Sequence, residues 1–173
     1  MQLISPNEVI QVIWLLLPAY FANGAPVVGV KIFKRVTPLD RGKVFIDGRR
    51  ILGDGKTIEG FITGITTGTL VSFLQALMVG ESFLMIRGSL MAFGALIGDI
   101  IGSFIKRRLK LSRGAPAPLL DQLDFLLMAL FIIHILGFTL PIRVWLIAIT
   151  VTVPLHILTN MIAYFIRLKS VPW

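Results

Sequence analysis

Five apolar stretches, each close to the length that crosses a bilayer, are the feature that most limits how this chain can fold. They run over about residues 8–30, 57–80, 87–106, 119–138 and 140–166. A helix needs roughly 20 apolar residues to cross the hydrocarbon core, and 55% of the residues are hydrophobic. We therefore expect an all-α integral membrane protein, with residues 1–173 forming a single transmembrane domain of five helices.

Positive charge is concentrated in connections that would share one side of such a bundle. The chain has 17 Lys and Arg residues, and all except Arg87 and Arg143 fall in or beside the 31–56 loop, the 107–118 loop and the C-terminal tail with Lys169. Cations are retained on the cytoplasmic side of membrane proteins. This predicts a multi-pass cell-membrane protein with an outside N-terminus, a cytoplasmic C-terminus and a cytoplasmic working face. The same topology accounts for the net charge of +8 more simply than nucleic-acid binding does.

The first span contains two prolines near a polar side chain. Pro18 and Pro26 remove helix donors, which predicts a kink or a break, and Asn23 lies between them. Irregular backbone within a bilayer is tolerated only where protein or a wet cavity covers it. We therefore expect this end of the span, with Asn23, to line a cavity.

The 31–56 loop is long for a connection in a compact membrane domain. Apolar residues alternate on either side of Asp47-Gly48, which predicts a short β-hairpin with a DG turn.

The end of that loop, Gly53-Asp54-Gly55-Lys56-Thr57, has a composition suited to phosphate. It is not a Walker A motif, because GxxxxGK[ST] would require Gly where Arg50 stands. A Gly-rich turn before a helix can still bind phosphate through backbone N–H groups, with Lys56 adding charge. The alternative is a simple helix start capped by Thr57.

Small residues recur at four-residue spacing in the second and third spans. They are Gly60, Gly64 and Gly68 in one, and Gly94, Gly98 and Gly102 in the other. Such stripes let helix backbones approach closely in lipid. We therefore expect these two helices to pack tightly against each other.

Three carboxylates are expected to meet at the cytoplasmic ends of the third and fourth spans. Asp99 lies inside the third span, where a carboxylate costs several kcal/mol unless it is paired or metal-bound. Asp121 and Asp124 share one side of the next helix. Together they form an all-oxygen cluster suited to Mg²⁺. The alternatives are a buried pair of Asp99 with Lys106 or Lys56, and favourable acids at a helix N-terminus.

The third span ends in three cations, Lys106-Arg107-Arg108. Ser103 and Lys106 or Arg107 recur on the helix face of Asp99, which favours a role for one or two of the cations in the site. The alternative is a positive-inside anchor.

His156 and Asn160 lie one turn apart in the fifth span. They either line the site or bond within the bundle. The chain has no Cys and only two His residues, far apart. Zinc sites and hydrolytic triads are therefore not expected.

One combination of motifs extends this interpretation: Gly98-Asp99, then Ser103-Phe104-Ile105-Lys106-Arg107, then Asp121-Gln122-Leu123-Asp124. It resembles the signature of the CTP:phosphatidate cytidylyltransferases, in which a Ser-x-x-Lys-Arg run leads to an Asp-Arg-x-Asp motif. Gln122 replaces the Arg, and the usual preceding His-Gly-Gly is absent. With PAYFANGAPV, GDGKTIEG and the short five-span length, these departures are similar to the archaeal branch, the CDP-archaeol synthases. The resemblance covers nearly the whole chain.

The resemblance implies Mg²⁺-dependent transfer of CMP from CTP to an isoprenoid ether glycerol phosphate, di-O-geranylgeranylglyceryl phosphate, giving CDP-archaeol and pyrophosphate. The isoprenoid chains would lie in an apolar groove between helices. The implied partners are CTP, this lipid and the bilayer, without nucleic acid and with a homodimer left open. The expected catalytic residues are Asp99, Lys106, Asp121 and Asp124, the three acids also holding Mg²⁺. The expected substrate-binding residues are Asn23, Asp54, Lys56, Thr57, Glu59, Ser103, Arg107, His156 and Asn160.

Two other functions stay open at this point: a small membrane transporter of an anionic solute, and a CTP-dependent polyprenol kinase. The chain shows no inverted repeat, and its ionisable residues crowd one face and not the midplane, which argues against a transporter. Tracer flux into vesicles without CTP consumption would indicate the transporter.

Overall fold

Each apolar stretch forms one helix in the computed structural model, which describes residues 5–33 and 35–172. The helices are α1 (Pro6–Ile32), α2 (Ile58–Val79), α3 (Phe83–Arg108), α4 (Leu120–Ile135) and α5 (Ile142–Phe165). No strand forms within the described residues. The prediction of an all-α protein with five helices is confirmed.

The helices differ in length. By length and composition α1, α2, α3 and α5 can cross a membrane, whereas α4 has 16 residues. At about 1.5 Å per residue, α4 is about 24 Å long, short of the roughly 30 Å hydrocarbon core. Five complete crossings therefore stay a prediction.

Helix α1 is continuous through both prolines, so the prediction of a break at Pro18 or Pro26 was wrong. Pro18 has no N–H to donate to the carbonyl of Trp14, one turn earlier. The side chain of Gln75 in α2 donates to that carbonyl instead, at 2.6 Å. A polar side chain from a neighbouring helix thus satisfies the acceptor that the proline leaves open, as lipid surroundings require.

The loop between α1 and α2 turns at Asp47-Gly48 without forming a β-ladder among the described residues. An isolated antiparallel bridge joins Val44 and Arg50, and Gly48 has a φ of 73°. Beyond this bridge, the N–H group of Lys43 donates to the carbonyl of Asp40 at 2.8 Å and not to Ile51 across the pair. Since that donor is taken, the predicted hairpin is reduced to a single bridge around the turn.

Helices α2 and α3 pack tightly as expected, since a Cβ on Gly68 of α2 would lie 2.5 Å from the Cβ of Ala92 in α3, but each glycine stripe also admits a further helix. A Cβ on Gly64 of α2 would lie 2.6 Å from the carbonyl oxygen of Ala22 in α1, and a Cβ on Gly94 of α3 would lie 2.8 Å from the Cα of Ala129 in α4. Each stripe therefore admits a different neighbour: α1 against α2, and α4 against α3.

The shortest helix occupies the centre of the core. The α4 side chains of Leu126, Ala129, Leu130 and Ile133 are fully buried among residues of α1, α3 and α5. This packing fixes α4 against α3. It also fixes the first turn of α4, which carries Asp121 and Asp124.

The two ends of the bundle differ in charge. At one end Arg143 binds Glu8 at 2.9 Å, joining the starts of α5 and α1. At the other, Lys31 donates to the carbonyl of Arg167, and the side chain of Arg108 lies 3.2 Å from that of Asp47. We call the second end the cation-rich end; it comprises the α1–α2 loop, the α3–α4 loop and the segment after α5. That it faces the cytoplasm stays a prediction.

Candidate functional site

Two acid–lysine pairs join separate elements at the cation-rich end. Lys56 Nζ, just before α2, lies 2.5 Å from Asp99 Oδ2 of α3. Lys106 Nζ of α3 lies 2.6 Å from Asp121 Oδ1 of α4. All four side chains are partly buried. The pairs therefore bring together four residues that are far apart in sequence and were expected to share a site.

Asp124 lies against α3 where a glycine leaves space. Its Oδ2 occupies the position that a Cβ on Gly102 would take, and its Oδ1 accepts the N–H of Phe125 at 2.6 Å. The charge of Asp99 acts on Asp124. The third small residue of the α3 stripe thus makes room for a carboxylate as well as for a helix.

These acids suit a metal that the substrate helps to bind. Within residues 5–33 and 35–172, no group of three or more Asp, Glu, His or Cys side chains is placed so that it could hold a metal ion by itself. Asp99 and Asp121 each bind a lysine. Mg²⁺ usually takes one or two carboxylates and completes its shell with phosphate oxygens and water. The oxygen donors fit that kind of site, and the assignment of all three acids as ligands stays a prediction.

Helix α5 brings a polar pair, His156 and Asn160, close to α4. The ring of His156 stacks on Phe125 with centroids 5.9 Å apart, and Asn160 Nδ2 lies 3.1 Å from His156 Nδ1. The charges of Asp99 and Asp121 act on His156. These contacts confirm that the pair bonds within the bundle, and its role in the site stays a prediction.

Lys169 lies close to this polar pair and was not among the expected site residues. Its Nζ donates to Asn160 Oδ1 at 3.1 Å, and its charge interacts with those of Asp121 and Asp99. Burial lowers the pKa of Lys169. It was counted only as a topological charge, because it lies beyond the last helix, where no periodicity indicates its orientation.

The three cations at the end of α3 make different contacts. Lys106 faces the acids, while Arg107 donates to the carbonyl of Ser112 at 3.1 Å. Arg108 donates to the carbonyl of Arg50 at 2.7 Å. Its guanidinium lies 4.8 Å from the ring centroids of both Phe45 and Phe104. Arg108 therefore anchors the α1–α2 loop on α3. Ser103 is buried beside this region.

Thr57 and Glu59 make structural contacts at the start of α2. Thr57 Oγ1 accepts the N–H of Gly60 at 3.0 Å, so Thr57 is the N-cap that the alternative interpretation describes. Glu59 accepts the N–H of Thr37 at 2.8 Å. Their roles as substrate contacts stay predictions.

Asp54 and Asn23 lie apart from the two acid–lysine pairs. The Asp54 side chain is 59% exposed and binds Arg50 at 2.8 Å. Asn23 is half-buried on α1, and no hydrogen bond described in the structure joins it to the three acids. Their binding roles also stay predictions.

Asp40 organises the α1–α2 loop and was not found from the sequence. Its carboxylate accepts two hydrogen bonds from Arg50, at 3.2 and 2.6 Å. It also accepts the N–H groups of Gly42, Leu52 and Gly53 at 3.1, 3.0 and 2.9 Å. The hydrogen bonds from Arg50 hold the pKa of Asp40 well below its usual range, with smaller help from those backbone donors and against the effect of burial. No spacing rule relates an aspartate to such dispersed partners.

An apolar cavity of about 380 Å³ runs between α3 and α4. Its walls include Ile101, Ile105, Leu127, Phe131 and Trp145. Asp124 also lines it. The cavity therefore leads from Asp124 along apolar side chains of α3 and α4.

Comparisons with known proteins give a consistent result. The family model for CarS-like CDP-archaeol synthase matches residues 5–173. The CDP-archaeol synthase of Aeropyrum pernix is 47% identical over 167 residues, covering 96% of this chain and 94% of the relative. That of Hyperthermus butylicus is 47% identical over 172 residues and 99% of each chain.

A solved structure gives the same result for the fold. It is described as an intramembrane enzyme for archaeal membrane lipids biosynthesis. The match has a TM-score of 0.81 at 46% identity, covering 88% of this chain and 94% of that one. The likeness therefore extends over most of the chain and not over one motif.

Proposed function

Since this chain belongs to the CDP-archaeol synthase family and is a CTP-using nucleotidyltransferase of the membrane, we propose that it moves CMP from CTP to di-O-geranylgeranylglyceryl phosphate. The reaction would use Mg²⁺ and release pyrophosphate. One observation supports it above the others: two acid–lysine pairs that share helix α3 lie at one end of an apolar helix bundle. Acids suited to a metal and ammonium groups suited to phosphate are therefore adjacent.

The acid–lysine pairs explain how the site stays neutral before the nucleotide arrives. Unpaired charges near a bilayer are costly, and Asp99 and Asp121 are each balanced by a lysine. A triphosphate with its metal brings both signs of charge. Lys56 and Lys106 would then turn to phosphate oxygens while the acids turn to the cation. The exchange replaces each ion pair without leaving a buried charge alone.

The proposed metal ligands are Asp99, Asp121 and Asp124. When bound there, Mg²⁺ would supply charge neutralisation for the triphosphate. The supporting observations are the oxygen donors of these three acids and the action of the Asp99 charge on Asp124.

The transfer itself needs positioning more than proton transfer. An oxygen of the lipid phosphate forms a bond to the α-phosphorus of CTP, and the bond from that phosphorus to the bridging oxygen breaks. Pyrophosphate leaves with the electron pair. The attacking phosphate is already anionic, so the protein has to align the two reactants and offset the charge that develops on the leaving group. We assign the second task to Lys56, Lys106 and Arg107.

The apolar cavity between α3 and α4 is the proposed place for an isoprenoid chain. Its walls are formed by Ile105, Leu127 and Phe131, and it includes Asp124. A chain lying there would bring its glycerol phosphate to the acids. The phosphate would then stand beside Asp121 and Asp124 while the hydrocarbon stays out of water.

The nucleotide is proposed to enter from the α1–α2 loop. The turn at Gly53 approaches Arg107, whose Cδ is 3.9 Å from a Cβ built on that glycine, and Gly55 similarly approaches Arg113 at 3.8 Å. Backbone N–H groups and cations in this turn suit the β and γ phosphates. The remaining proposed contacts to the nucleotide are Asn23, Asp54, Thr57, Glu59, Ser103, His156 and Asn160.

The test follows the label of CTP into lipid. Detergent-purified protein is incubated with α-labelled CTP, Mg²⁺ and di-O-geranylgeranylglyceryl phosphate, and the lipid is extracted. We expect label in the lipid, and none when Mg²⁺ is chelated. A parallel reaction with γ-labelled CTP should label pyrophosphate only.

Two results would contradict the proposal. Lipid that remains unlabelled by α-labelled CTP would exclude the transfer of CMP. Lipid labelled from the γ position, with a polyprenol as acceptor, would instead indicate the kinase.

A further inference from the structure

We propose that Arg87, in the second turn of α3, binds the headgroup phosphate of a bilayer lipid beside the end of α4. This site lies at the end of the bundle opposite the cation-rich end, and it does not depend on the transfer reaction proposed above.

The charge of Arg87 is not balanced within the described part of the chain. Its Nε is buried and has no hydrogen-bond partner there, and no carboxylate of residues 5–33 and 35–172 acts on its guanidinium. The ring of Phe83, with its centroid 5.7 Å away, stabilises the cation only in part. At the same end of the bundle, Arg143 binds Glu8 at 2.9 Å. A cation within a membrane-spanning helix and without such an acid indicates a ligand from outside the chain.

Arg87 lies on the face of α3 that packs against α4. It precedes Gly94 by seven residues, or two helical turns, so the two residues share a face. On that face Gly98 approaches the carbonyl of Asp124 and Gly94 approaches the backbone of Ala129, so α4 runs toward Arg87. Arg87 lies about 10 Å beyond Gly94, and α4 ends about 9 Å beyond Ala129. Arg87 is therefore level with the end of α4.

Helix α4 is too short to carry this face to the bilayer surface. Its 16 residues span about 24 Å, against a hydrocarbon core of roughly 30 Å. The chain then turns at Gly137, which has a φ of 94°. Lipid adjusts to a short segment by thinning locally, and long cations nearby reach the headgroups. A headgroup drawn to the end of α4 would meet Arg87, whose planar guanidinium suits phosphate oxygens.

The alternative is that Arg87 only stabilises the C-terminus of α4, where carbonyl groups favour a cation. The N–H groups of residues 136–138 already donate to the carbonyls of Ile132, Ile133 and His134. No hydrogen bond described in the structure joins Arg87 to this turn. A phosphate group, unlike the helix end, supplies both the acceptor oxygens and the negative charge that the guanidinium needs.

The first test compares stability with and without lipid. Arg87→Met and the control Lys110→Met, which replaces an exposed cation of the α3–α4 loop, are melted in lipid-depleted detergent. Dioleoylphosphatidylglycerol is then added. It should raise the apparent Tm of the unmodified protein and of the control by about 3 °C or more, and that of Arg87→Met by less than half as much. Dioleoylglycerol, which has the same chains without phosphate, should not reproduce the difference.

The lipid-depleted samples separate binding from a structural role. Without lipid, Arg87→Met should be at least as stable as the unmodified protein, because it removes an unbalanced, half-buried charge. If Arg87→Met lowered the apparent Tm equally with and without phosphatidylglycerol, the residue would serve the helix end and the proposal would be overturned.

The second test locates the lipid. The chain contains no Cys, so Leu136→Cys, just after α4, and the matched control Ile10→Cys each give one position for a bimane label; both residues are exposed. Phosphatidylcholine with a nitroxide on its headgroup is titrated as quencher. Charge-assisted hydrogen bonds correspond to about 10-fold or more in affinity. Quenching at position 136 should therefore be half-complete at about 10-fold less lipid than at position 10, and Arg87→Met should abolish that difference.

The same titration identifies the source of the phosphate. Unlabelled phosphatidylglycerol should displace the quencher from position 136, whereas an equal concentration of inorganic phosphate should not. Equal displacement by inorganic phosphate would overturn the assignment to a lipid. Equal quenching at the two positions, or quenching at position 136 that Arg87→Met leaves unchanged, would overturn the site itself.

Discussion

Asp40 and Asp99 are both aspartates paired with a basic residue, and their surroundings differ in one decisive way. Asp40 accepts five hydrogen bonds, two from Arg50 and three from backbone N–H groups. Asp99 accepts one described hydrogen bond, from Lys56. The first carboxylate is saturated by its own loop. The second retains oxygen lone pairs that can still bind a ligand.

This difference shows that an ion pair alone does not distinguish a structural acid from a functional one. A saturated carboxylate cannot exchange partners without unfolding the backbone that surrounds it. A carboxylate with one flexible lysine partner can exchange it for a cation while the lysine moves to an anion. The number of partners therefore assigns Asp40 to the architecture of the loop, and the single partner of Asp99 supports the proposal that Asp99 takes part in the chemistry.

Replacement of the two acids that pair with a lysine, Asp99 and Asp121, should have the largest effect. Asp99→Asn and Asp121→Asn remove a charge while keeping shape, and each should reduce CMP transfer by about 10²-fold to 10³-fold or more. Both proteins should stay monodisperse in detergent, because no backbone hydrogen bond of the α1–α2 loop is lost. Asp47→Asn is the matched control. Full activity of either variant would remove that acid from the catalytic residues.

The two ends of the α3 cation cluster offer the next comparison. Lys106→Gln should reduce transfer by about 10²-fold, because Lys106 pairs with Asp121 at 2.6 Å. Arg108→Gln should reduce it only a few-fold, since Arg108 anchors the loop through Phe45 and Phe104. The measurement is kcat/KM for CTP in both proteins. Equal losses would contradict the separation between chemistry and anchoring.

Two glycines of one stripe distinguish packing from site geometry. Gly102→Ala places a methyl group where Asp124 Oδ2 lies, whereas Gly94→Ala meets the backbone of Ala129 away from the acids. Both should lower the apparent Tm in detergent. Only Gly102→Ala should also lower activity per folded molecule, by about 10-fold. Similar specific activities of the Gly102→Ala and Gly94→Ala proteins would show that CMP transfer does not require Asp124 in this position.

Replacement of Asp40 should have the smallest effect on CMP transfer and a clear effect on stability. Its pKa is lowered in the folded protein, so the stabilisation is complete above the unfolded value of about 4 and is lost as pH falls toward the lowered folded pKa. Thermal melts in detergent from pH 7 to pH 3 should therefore show acid destabilisation that Asp40→Asn reduces. At pH 7 that variant should melt about 5 °C lower, with at most a few-fold loss of specific activity. An unchanged melting temperature at pH 7 would contradict this account.

The sequence predicted some of the contacts between side chains where motifs lie on helices. Asp99, Lys106, Asp121 and His156 lie on helices whose periodicity indicates which residues share a face, and the structure brings them together. Even the alternative of a pair between Asp99 and Lys56 was foreseen. Asp40 and Lys169 were not predicted, because the α1–α2 loop orients Asp40 and the turn that ends α5 orients Lys169.

Run length and charge placement were enough to predict the number of helices and the gathering of cations at one end, since both follow from the cost of moving each side chain or peptide group out of water. Which lysine meets which acid, which helix enters each glycine stripe and how Pro18 is accommodated were settled by packing alone. Those outcomes depend on helix rotation and on contacts between residues far apart in the chain. No single residue carries that information.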